Sequence, residues 1–412
     1  MKSLFIHKNV NNFNTEINLP SSKSESNRAL IINALSGGGE NVHNLAEARD
    51  TQTMIRLLAS DDSVADVIDA GTTMRFLTAY YAITGQSKTI TGTPRMCERP
   101  IGILVDALRQ LGADIEYLQN EGYPPLQLKG FKYSGTSELN IKGNVSSQYI
   151  SALLMVAPLL PSGLRINIIG ELGSKPYVEM TLQQMACFGI KSETNWEAQY
   201  IYIPNQDYTL QNYHVESDWS GASYWFSAVA LSQHPDASLV LLGLKENSLQ
   251  GDSVIVDIMA HLGVKSEFVG NGYKLTKQSS SDSLQWDFTN CPDLAQTVCV
   301  VAAAKNIPLT LTGIESLKVK ETDRVLALQN ELLKLGAELK EVIPNDTYIL
   351  TNSSKDFVQK QVSIATYDDH RMAMCFAPLS MLMDITIHEP NVVVKSYPSF
   401  WEHFQQLVTI DF

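Results

Sequence analysis

Residues 105–118, VDALRQLGADIEYL, carry an amphipathic helix pattern that ends at a glycine and continues directly as a strand pattern. Three further stretches have the same plan: TLQQMACFGIKSETNW (181–196), VIVDIMAHLGVKSEFV (254–269) and LQNELLKLGAELKEV (328–342). The glycines are spaced 77, 74 and 73 residues apart and are Gly112, Gly189, Gly263 and Gly336. Glycine is the usual residue where a chain leaves a helix through a left-handed turn. The spacing predicts an internal repeat of about 70 residues, with further copies at 51–60 and 400–407.

Strand-like runs alternate with these helices along the whole chain. Such alternation predicts an α/β or α+β fold in which helices cover the faces of sheets. Six repeats in 412 residues imply two domains with three repeats each. A new motif, VESDWSGASYWFSAVAL (215–231), places a domain boundary near Val215.

Composition restricts the kinds of partner that the chain can bind. A formal net charge of -13 disfavours nucleic acids and anionic membranes, which normally require a basic face. No apolar run reaches the roughly 18 residues of a membrane span, and the N-terminus lacks a signal-peptide pattern. Five cysteines without CxxC spacing favour reduced thiols over disulfides or a zinc site. We therefore expect a cytoplasmic protein that binds small molecules.

Polar, basic motifs stand immediately before the apolar helix patterns. They are SSKSESNRALIINAL (21–35), DAGTTMRFLTAYYA (69–82), NVSSQYISALLMVA (144–157), KVKETDRVLALQNELLKLG (318–336) and DDHRMAMCFAPL (368–379). A helix N-terminus has unpaired N–H groups and a partial positive charge, so it favours anions. Several such termini indicate a site for small, highly charged anions. Taken singly, each motif also fits a solvated helix start.

Two of these motifs contain more specific chemistry. Ser22 and Glu25 have capping-box spacing, which predicts a helix start at this point. Ser24 and Arg28 are four residues apart and therefore lie on one helix face, where they can bind a carboxylate or phosphate. In KVKETDR, Glu321 is a carboxyl group among cations and a candidate proton donor or acceptor. A charge run of this kind is also typical of a solvated face. P-loop, GxGxxG and metal-ligand patterns are missing from the sequence, so we expect neither a cofactor nor a metal.

The motifs together resemble the 5-enolpyruvylshikimate-3-phosphate synthases, a branch of the enolpyruvyl transferase family. The resemblance runs in order through SKSESNRAL, AGTTMRFL, PRMCERPIG, NVSSQY, SKPY, SGASYWF, GDS, KVKETDR, DDHRMAM and KSYPSF. It implies a two-domain, inside-out α/β barrel-like fold of six βαβαββ units, three per domain. The implied domains are 1–18 with 216–412 and an inserted domain, 19–215, with the active site in the cleft between them.

The resemblance also implies a reaction and a set of site residues. The family transfers the enolpyruvyl group of phosphoenolpyruvate to the 5-hydroxyl of shikimate 3-phosphate by addition and elimination, and releases phosphate. The implied catalytic residues are Asp293 as the base at the 5-hydroxyl, Glu321 as the proton donor to the methylene carbon, and Lys23. The implied phosphoenolpyruvate ligands are Lys23, Gly71, Arg99, Gln148, Arg324, Arg371 and Lys395. The implied shikimate 3-phosphate ligands are Ser24, Arg28, Ser146, Ser147, Gln148, Ser174, Tyr177, Asp293, Ser316 and Lys320.

Three positions depart from the commoner family pattern. Asp69 replaces the asparagine usual before the AGT segment, and Phe76 replaces the proline usual after the arginine of that segment. Ser316 stands where an asparagine often contacts the phosphate of shikimate 3-phosphate. These departures bear on affinity and glyphosate sensitivity rather than on the reaction.

Two other functions compete with this interpretation. One is UDP-N-acetylglucosamine enolpyruvyl transferase, whose acid is a cysteine on a mobile loop; Cys97 is the candidate here, although its flanks, PRM and ERP, match the shikimate branch. The other is a non-catalytic anion-binding scaffold, which would need neither Asp293 nor Glu321. We expect a monomer with small-molecule substrates, without nucleic-acid or membrane partners.

Overall fold

A computed structural model describes residues 2–143, 146–352 and 361–411. Asn144 and Val145 of the NVSSQY motif therefore lie outside the described residues. The chain forms two compact units. The terminal unit comprises Met1–Pro20 and Glu216–Phe412, and the inserted unit comprises Ser21–Val215. Each unit has its own hydrophobic core.

Helices follow the predicted apolar patterns. In chain order they are α1 (Lys23–Leu35), α2 (Arg49–Leu58), α3 (Gly71–Ile83), α4 (Pro94–Cys97), α5 (Gly102–Leu111), α6 (Ser147–Val156), α7 (Lys175–Cys187), α8 (Trp219–Leu231), α9 (Ile255–His261), α10 (Ala295–Ala304), α11 (Arg324–Leu333), α12 (His370–Phe376) and α13 (Phe400–Phe404). In the described parts of the chain, none of them has the length and apolar character that a membrane crossing needs.

The strands are short and lie between the helices. They are β1 (Ser3–Ile6), β2 (Asn14–Asn18), β3 (Val42–His43), β4 (Val64–Asp66), β5 (Lys88–Thr91), β6 (Ala113–Tyr117), β7 (Leu126–Phe131), β8 (Glu138–Lys142), β9 (Leu164–Ile169), β10 (Glu193–Asn195), β11 (Tyr200–Ile203), β12 (Tyr213–His214), β13 (Ser238–Leu242), β14 (Val264–Phe268), β15 (Gly272–Lys277), β16 (Leu284–Asp287), β17 (Leu309–Thr312), β18 (Ala337–Ile343), β19 (Thr347–Asn352), β20 (Val362–Ile364), β21 (Ile385–His388) and β22 (Ile410–Asp411).

The inserted unit contains two complete repeats and one abbreviated repeat. Its sheets have the orders β4-β5-β7-β6 and β10-β11-β9-β8, in which a parallel pair is combined with an antiparallel hairpin. In the part of the chain that the structure describes, the third sheet has only the parallel pair β12-β3. Its two strands come from opposite ends of the unit, so this repeat is closed only when the unit folds.

The described residues of the terminal unit form three four-stranded sheets with the same connection order. They are β14-β15-β13-β2, β16-β17-β19-β18 and β20-β21-β1-β22. The last sheet is permuted, because the chain's first strand, β1, pairs with both β21 and β22. The predicted α/β fold of six repeated units, three in each unit, is confirmed, with one repeat abbreviated.

The glycines that defined the repeat occupy the predicted left-handed positions. Gly112, Gly189, Gly263 and Gly336 have φ angles of 110°, 87°, 95° and 77°. Helices α2 and α13 stand at the two further predicted copies, where no glycine follows. At Gly112 a Cβ atom would lie 1.9 Å from the carbonyl oxygen of Lys132. This close approach explains why the turn from α5 into β6 requires a glycine.

Candidate active site

The polar motifs lie at helix starts, as the sequence predicts. Lys23, Gly71, Ser147 and Arg324 are the first residues of α1, α3, α6 and α11. Capping follows the expected chemistry at α1, where the Ser22 hydroxyl accepts a hydrogen bond from the Glu25 N–H at 3.4 Å. Each unit thus presents several helix N-termini that bear polar or cationic side chains.

Arg324 is the centre of an ionic cluster in the terminal unit. Its side chain is 3% exposed, and its guanidinium pairs with three carboxylates: Asp369 at 2.6 Å, Glu321 at 2.7 Å and Asp293 at 3.1 Å. Burial opposes the charged form, but the three carboxylates outweigh it and raise the pKa of Arg324 above its ordinary value. The first turn of α11 therefore holds a permanent cation with its planar donors directed at carboxylates.

Arg371, in the first turn of α12, joins the same cluster. Its Nη2 lies 2.8 Å from Asp293 Oδ2, and its backbone N–H donates to Asp369 Oδ1 at 2.8 Å. Asp293 thus connects Arg324 with Arg371, while Asp369 caps α12. The side-chain exposures of Asp293 and Asp369 are 17% and 0%.

Lys395 completes the cluster from the last residue of a 3₁₀ turn, Pro390–Lys395. Its Nζ lies 3.2 Å from Glu321 Oε1, so Glu321 stands between Lys395 and Arg324. Ser316 lies in the 3₁₀ turn Glu315–Val319, and Lys320 directly follows that turn. The structure therefore brings five predicted site residues into one network: Asp293, Glu321, Arg324, Arg371 and Lys395.

Asp252 of the GDS motif lies close to this network. Ser220 donates a hydrogen bond to its Oδ2, and Ser220 Oγ is 3.5 Å from Arg371 Nη2. Burial, reinforced by the negative charge of Asp293, raises the pKa of Asp252 to about 7. Asp252 is therefore a carboxyl group that titrates near neutral pH.

In the inserted unit, Arg28 has a different environment. Its guanidinium is buried and, among the described residues, donates to neutral oxygens alone: Thr181 Oγ1 at 2.7 Å, Ser24 O at 2.9 Å and Ser151 Oγ at 3.3 Å. Within the described ranges no carboxylate pairs with Arg28. Burial consequently lowers the pKa of Arg28 to about 10. A buried cation without a counter-ion is a favourable binding site for an anion.

Two aromatic rings flank the Arg28 guanidinium. Its Cζ lies 5.3 Å from the ring centroid of Phe76 and 5.6 Å from that of Tyr177. These distances allow cation–π attraction, which is strongest where the cation is desolvated. The rings therefore help to stabilise a charge that no carboxylate of the described residues pairs with.

Lys23 begins α1, and Arg99, from the segment between α4 and α5, places its guanidinium at the start of α3. Lys23 Nζ is 3.2 Å from Asp50 Oδ2. Arg99 has no ion pair with any described residue, and its Nη1 would lie 2.7 Å from a Cβ atom at Gly71. Arg75 Nη1 would lie at 2.8 Å from the same atom. A side chain at position 71 would therefore require both guanidinium groups to move from the start of α3.

The remaining predicted ligands supply hydroxyl and amide groups. Ser146 caps α6, and Gln148 Nε2 donates to Thr72 Oγ1 at 3.0 Å. Ser174 precedes α7 with a φ of 56°, a left-handed conformation that is uncommon for residues other than glycine. Strained backbone of this kind is often found at functional sites. That the residues of the two units meet in one cleft stays a prediction.

Sequence comparisons identify relatives over nearly the full chain. A sequence model of the EPSP synthase (3-phosphoshikimate 1-carboxyvinyltransferase) family matches residues 7–60 and 56–404. The 3-phosphoshikimate 1-carboxyvinyltransferase of Bacteroides fragilis (strain YCH46) is 49% identical over 393 residues, covering 95% of this chain and 94% of that protein. That of Sulfurovum sp. (strain NBC37-1) is 37% identical over 420 residues, covering 95% and 96%. The chain belongs to the EPSP synthase family.

Solved structures agree on the fold. The EPSP synthase of Acinetobacter baumannii at 2.37 Å resolution superposes with a TM-score of 0.78, at 21% identity, covering 100% of this chain and 99% of that one. A second structure of EPSP synthase from that organism gives a TM-score of 0.77 at 20% identity, with 100% coverage of both chains. At this identity the likeness concerns the fold.

Two departures from the common EPSP synthase pattern have structural partners in this chain. Asp69 Oδ2 pairs with Arg49 Nη2 at 2.8 Å, so the added negative charge meets a cation. Phe76 is fully buried and provides one of the two rings beside Arg28.

Sequence reasoning did not assign roles to several residues that shape the site. They are Asp50, Ser151, Thr181, Asp252 and Asp369. Asp369 directly precedes a histidine and an arginine, and Asp252 lies within the GDS motif, so both offered a signal. Ser151 and Thr181 are ordinary polar residues of apolar helix patterns, and only the tertiary structure connects them to Arg28.

Proposed function

We infer that this chain is an enzyme that transfers the enolpyruvyl group of phosphoenolpyruvate to the 5-hydroxyl of shikimate 3-phosphate, giving 5-enolpyruvylshikimate 3-phosphate and phosphate. Membership of the EPSP synthase family supports the reaction. The observation that supports the site is the network in which Glu321 contacts both Arg324 and Lys395. A non-catalytic anion scaffold would gain nothing from carboxylates that occupy its cations.

The carboxylates of the terminal unit stand where substrate anions are expected to bind. Asp293 pairs with Arg324 and Arg371, and Glu321 pairs with Arg324 and Lys395. Phosphoenolpyruvate would compete for these cations through its carboxylate and phosphate. Binding would then leave Asp293 and Glu321 with less compensating charge and a greater affinity for protons, as proton transfer requires.

The proposed chemistry uses these two carboxylates in turn. Asp293 takes the proton of the 5-hydroxyl while the hydroxyl oxygen bonds to C2 of phosphoenolpyruvate, and Glu321 gives a proton to C3. In the elimination step Glu321 takes a proton back from C3, the C2–C3 double bond re-forms, and the bond from C2 to the phosphate oxygen breaks to release phosphate. Lys23, Arg324 and the other cations stabilise the phosphate as it departs.

The inserted unit supplies the proposed shikimate 3-phosphate ligands. Arg28 and Ser24 bind the ring carboxylate, which would provide the counter-ion that Arg28 does not have among the described residues. Ser146, Ser147, Gln148 and Ser174 bind the phosphate at the starts of α6 and α7, together with Tyr177. Lys320 and Ser316 are proposed as further ligands from the terminal unit. The proposed phosphoenolpyruvate contacts of the inserted unit are Lys23, Gly71, Arg99 and Gln148.

The same proposal includes the position of the site, the oligomeric state and the cellular location of the enzyme. The residues of the two units meet in the cleft between them, and the enzyme works as a monomer in the cytoplasm. No cofactor or metal takes part.

Cys97 is the candidate acid of the competing sugar-nucleotide reaction. Its Sγ is directed at Gly92 O at 3.7 Å and is half-buried in α4.

Phosphate release from phosphoenolpyruvate tests the function, with shikimate 3-phosphate or UDP-N-acetylglucosamine as acceptor. We expect turnover with shikimate 3-phosphate only. Glu321→Gln is expected to lower kcat about 10²- to 10⁴-fold, the range for a general acid, whereas the exposed Glu98→Gln is the matched control. Turnover with the sugar nucleotide alone, or full activity of Glu321→Gln, would refute the assignment.

A further inference from the structure

We propose that the first turn of α2 is a positioning element for the phosphoenolpyruvate end of the site. Asp50 holds the ammonium group of Lys23. Arg49, the neighbouring residue, balances the carboxylate of Asp69. The inference rests on the proposed function, because it assigns a role relative to Lys23 and the start of α3.

Asp50 is placed to hold Lys23 rather than to stabilise the surface. Its side chain is 4% exposed, and its Oδ2 lies 3.2 Å from Lys23 Nζ. Its Oδ1 is buried and has no hydrogen-bond partner among the described residues. Its backbone oxygen accepts a hydrogen bond from Thr73 Oγ1 at 3.2 Å. One residue thereby connects the first turns of α1, α2 and α3.

Arg49 is unfavourably placed for the helix that contains it. A cation at a helix N-terminus opposes the helix dipole, and Ala48 gives α2 no side-chain cap. Arg49 instead pairs with Asp69 at 2.8 Å. Asp69 lies two residues before Gly71, where the Arg75 and Arg99 guanidinium groups approach the backbone. Pairing with Arg49 therefore offsets the negative charge of Asp69 next to Gly71 and Arg99, which are proposed phosphoenolpyruvate ligands.

The two contacts have distinct consequences for the reaction. If Asp50 loses its charge, Lys23 loses its fixed position, and small misplacements of a catalytic group reduce rates strongly. If Arg49 loses its charge, Asp69 repels the incoming anion more strongly. Restoring asparagine, the common family residue, at position 69 should cancel that second effect.

Steady-state kinetics of the variants test the proposal, with each substrate varied at saturation of the other. We expect Asp50→Asn to lower kcat/KM for phosphoenolpyruvate at least about tenfold, with KM for shikimate 3-phosphate unchanged. Arg49→Gln should raise KM for phosphoenolpyruvate about two- to fivefold. The double variant Arg49→Gln/Asp69→Asn should return that KM to the native value, with Asp69→Asn alone as reference.

Arg56→Gln is the matched control, because Arg56 lies in the last turn of α2 and donates to Asp66 O. It should leave both KM values unchanged. Equal impairment of Arg49→Gln and the double variant, or equal changes in both KM values, would overturn the proposal. If Asp50→Asn does not fold, the Arg49 and Asp69 variants still test whether the first turn of α2 affects the phosphoenolpyruvate end of the site. A native chain without turnover would instead refute the proposed function itself.

Discussion

At the residue scale, two buried arginines, one in each unit, have opposite environments. Arg324 in the terminal unit contacts three carboxylates, whereas Arg28 in the inserted unit contacts hydroxyl and carbonyl oxygens and two aromatic rings. The ion pairs of Arg324 stabilise the protein without substrate, and substrate anions must replace some of them on binding. The environment of Arg28 costs stability in the protein without substrate and is relieved by an anion.

Replacing Arg28 with methionine tests this difference. Thr181 Oγ1 also contacts Ser151 Oγ at 3.0 Å and donates to Tyr177 O, so both hydroxyls retain partners without the arginine. We expect Arg28→Met to leave the free energy of unfolding of the substrate-free protein unchanged or to raise it by about 1–2 kcal/mol. The stabilisation by shikimate 3-phosphate should disappear.

Thermal unfolding with and without shikimate 3-phosphate measures both effects. Arg165→Met is the control, because Arg165 also stacks on an aromatic ring, at 3.5 Å from the centroid of Tyr200, but in a partly exposed position. A marked loss of stability in substrate-free Arg28→Met would contradict the view that this charge is costly.

Asp252 gives the folded protein a specific pH dependence. Its pKa of about 7 in the folded protein exceeds the ordinary value of 3.8, so the folded state holds the proton more tightly. The stability contribution is therefore complete below pH 3.8 and is lost as pH rises through 7. Asp252→Asn should remove this loss and be more stable than the native chain at pH 8 by about 1–3 kcal/mol, with little difference near pH 4.

Chemical denaturation at about pH 4, 6 and 8 provides the measurement for Asp252. The exposed Asp257→Asn, in the neighbouring helix α9, controls for the loss of one negative charge. If the free energy of unfolding of the native chain, relative to that of Asp252→Asn, increased with pH, the expected direction of the effect would be wrong.

At the element scale, the turn from helix to strand is the unit that the repeats share. Gly112 combines a φ of 110° with a backbone oxygen only 1.9 Å from the position that a Cβ atom would occupy, whereas Gly135 has a φ of 90° and open space around it. The two glycines therefore separate conformational strain from steric overlap within one unit.

Alanine substitution at both positions measures the two contributions. Gly135→Ala should lower the free energy of unfolding by about 1–2 kcal/mol, the cost of a left-handed non-glycine residue. Gly112→Ala should cost about 3 kcal/mol or more, because the backbone at Lys132 must also move. Equal losses in denaturant titrations would show that the close approach at Gly112 is unimportant.

At the scale of the whole molecule, the two units differ in how they are built from the chain. The inserted unit is one continuous segment with its own core. The terminal unit needs both ends of the chain, since β1 lies between β21 and β22 and β2 pairs with β13. An interior strand such as β1 supplies hydrogen bonds to two neighbours.

This difference predicts unequal behaviour of two fragments. Residues 21–215 expressed alone should fold cooperatively and bind shikimate 3-phosphate weakly, without turnover, because the proposed ligands Arg28 and Ser146 are present but Glu321 is not. Residues 216–412 alone should not fold, because β1 and β2 are missing. Circular dichroism and thermal melts of both fragments measure this; a folded 216–412 fragment would contradict the assigned role of β1.

The sequence alone determined the repeat, the helix starts and the kind of ligand. These depend on near neighbours: a glycine that ends a helix, a serine that caps one, or cations in a first turn act over a few positions, so they are visible in the printed order. Glu321 and Arg324, three residues apart, were predictable as neighbours for that reason.

The tertiary structure decided which distant residues share an environment. Arg28 meets Thr181 across 153 positions, and Arg324 meets Asp369 across 45. It also closed one sheet with the first strand of the chain and reduced another to two strands. Such contacts depend on the path of the whole chain, since burial and charge compensation are set by whatever elements pack together, and no local pattern encodes that path.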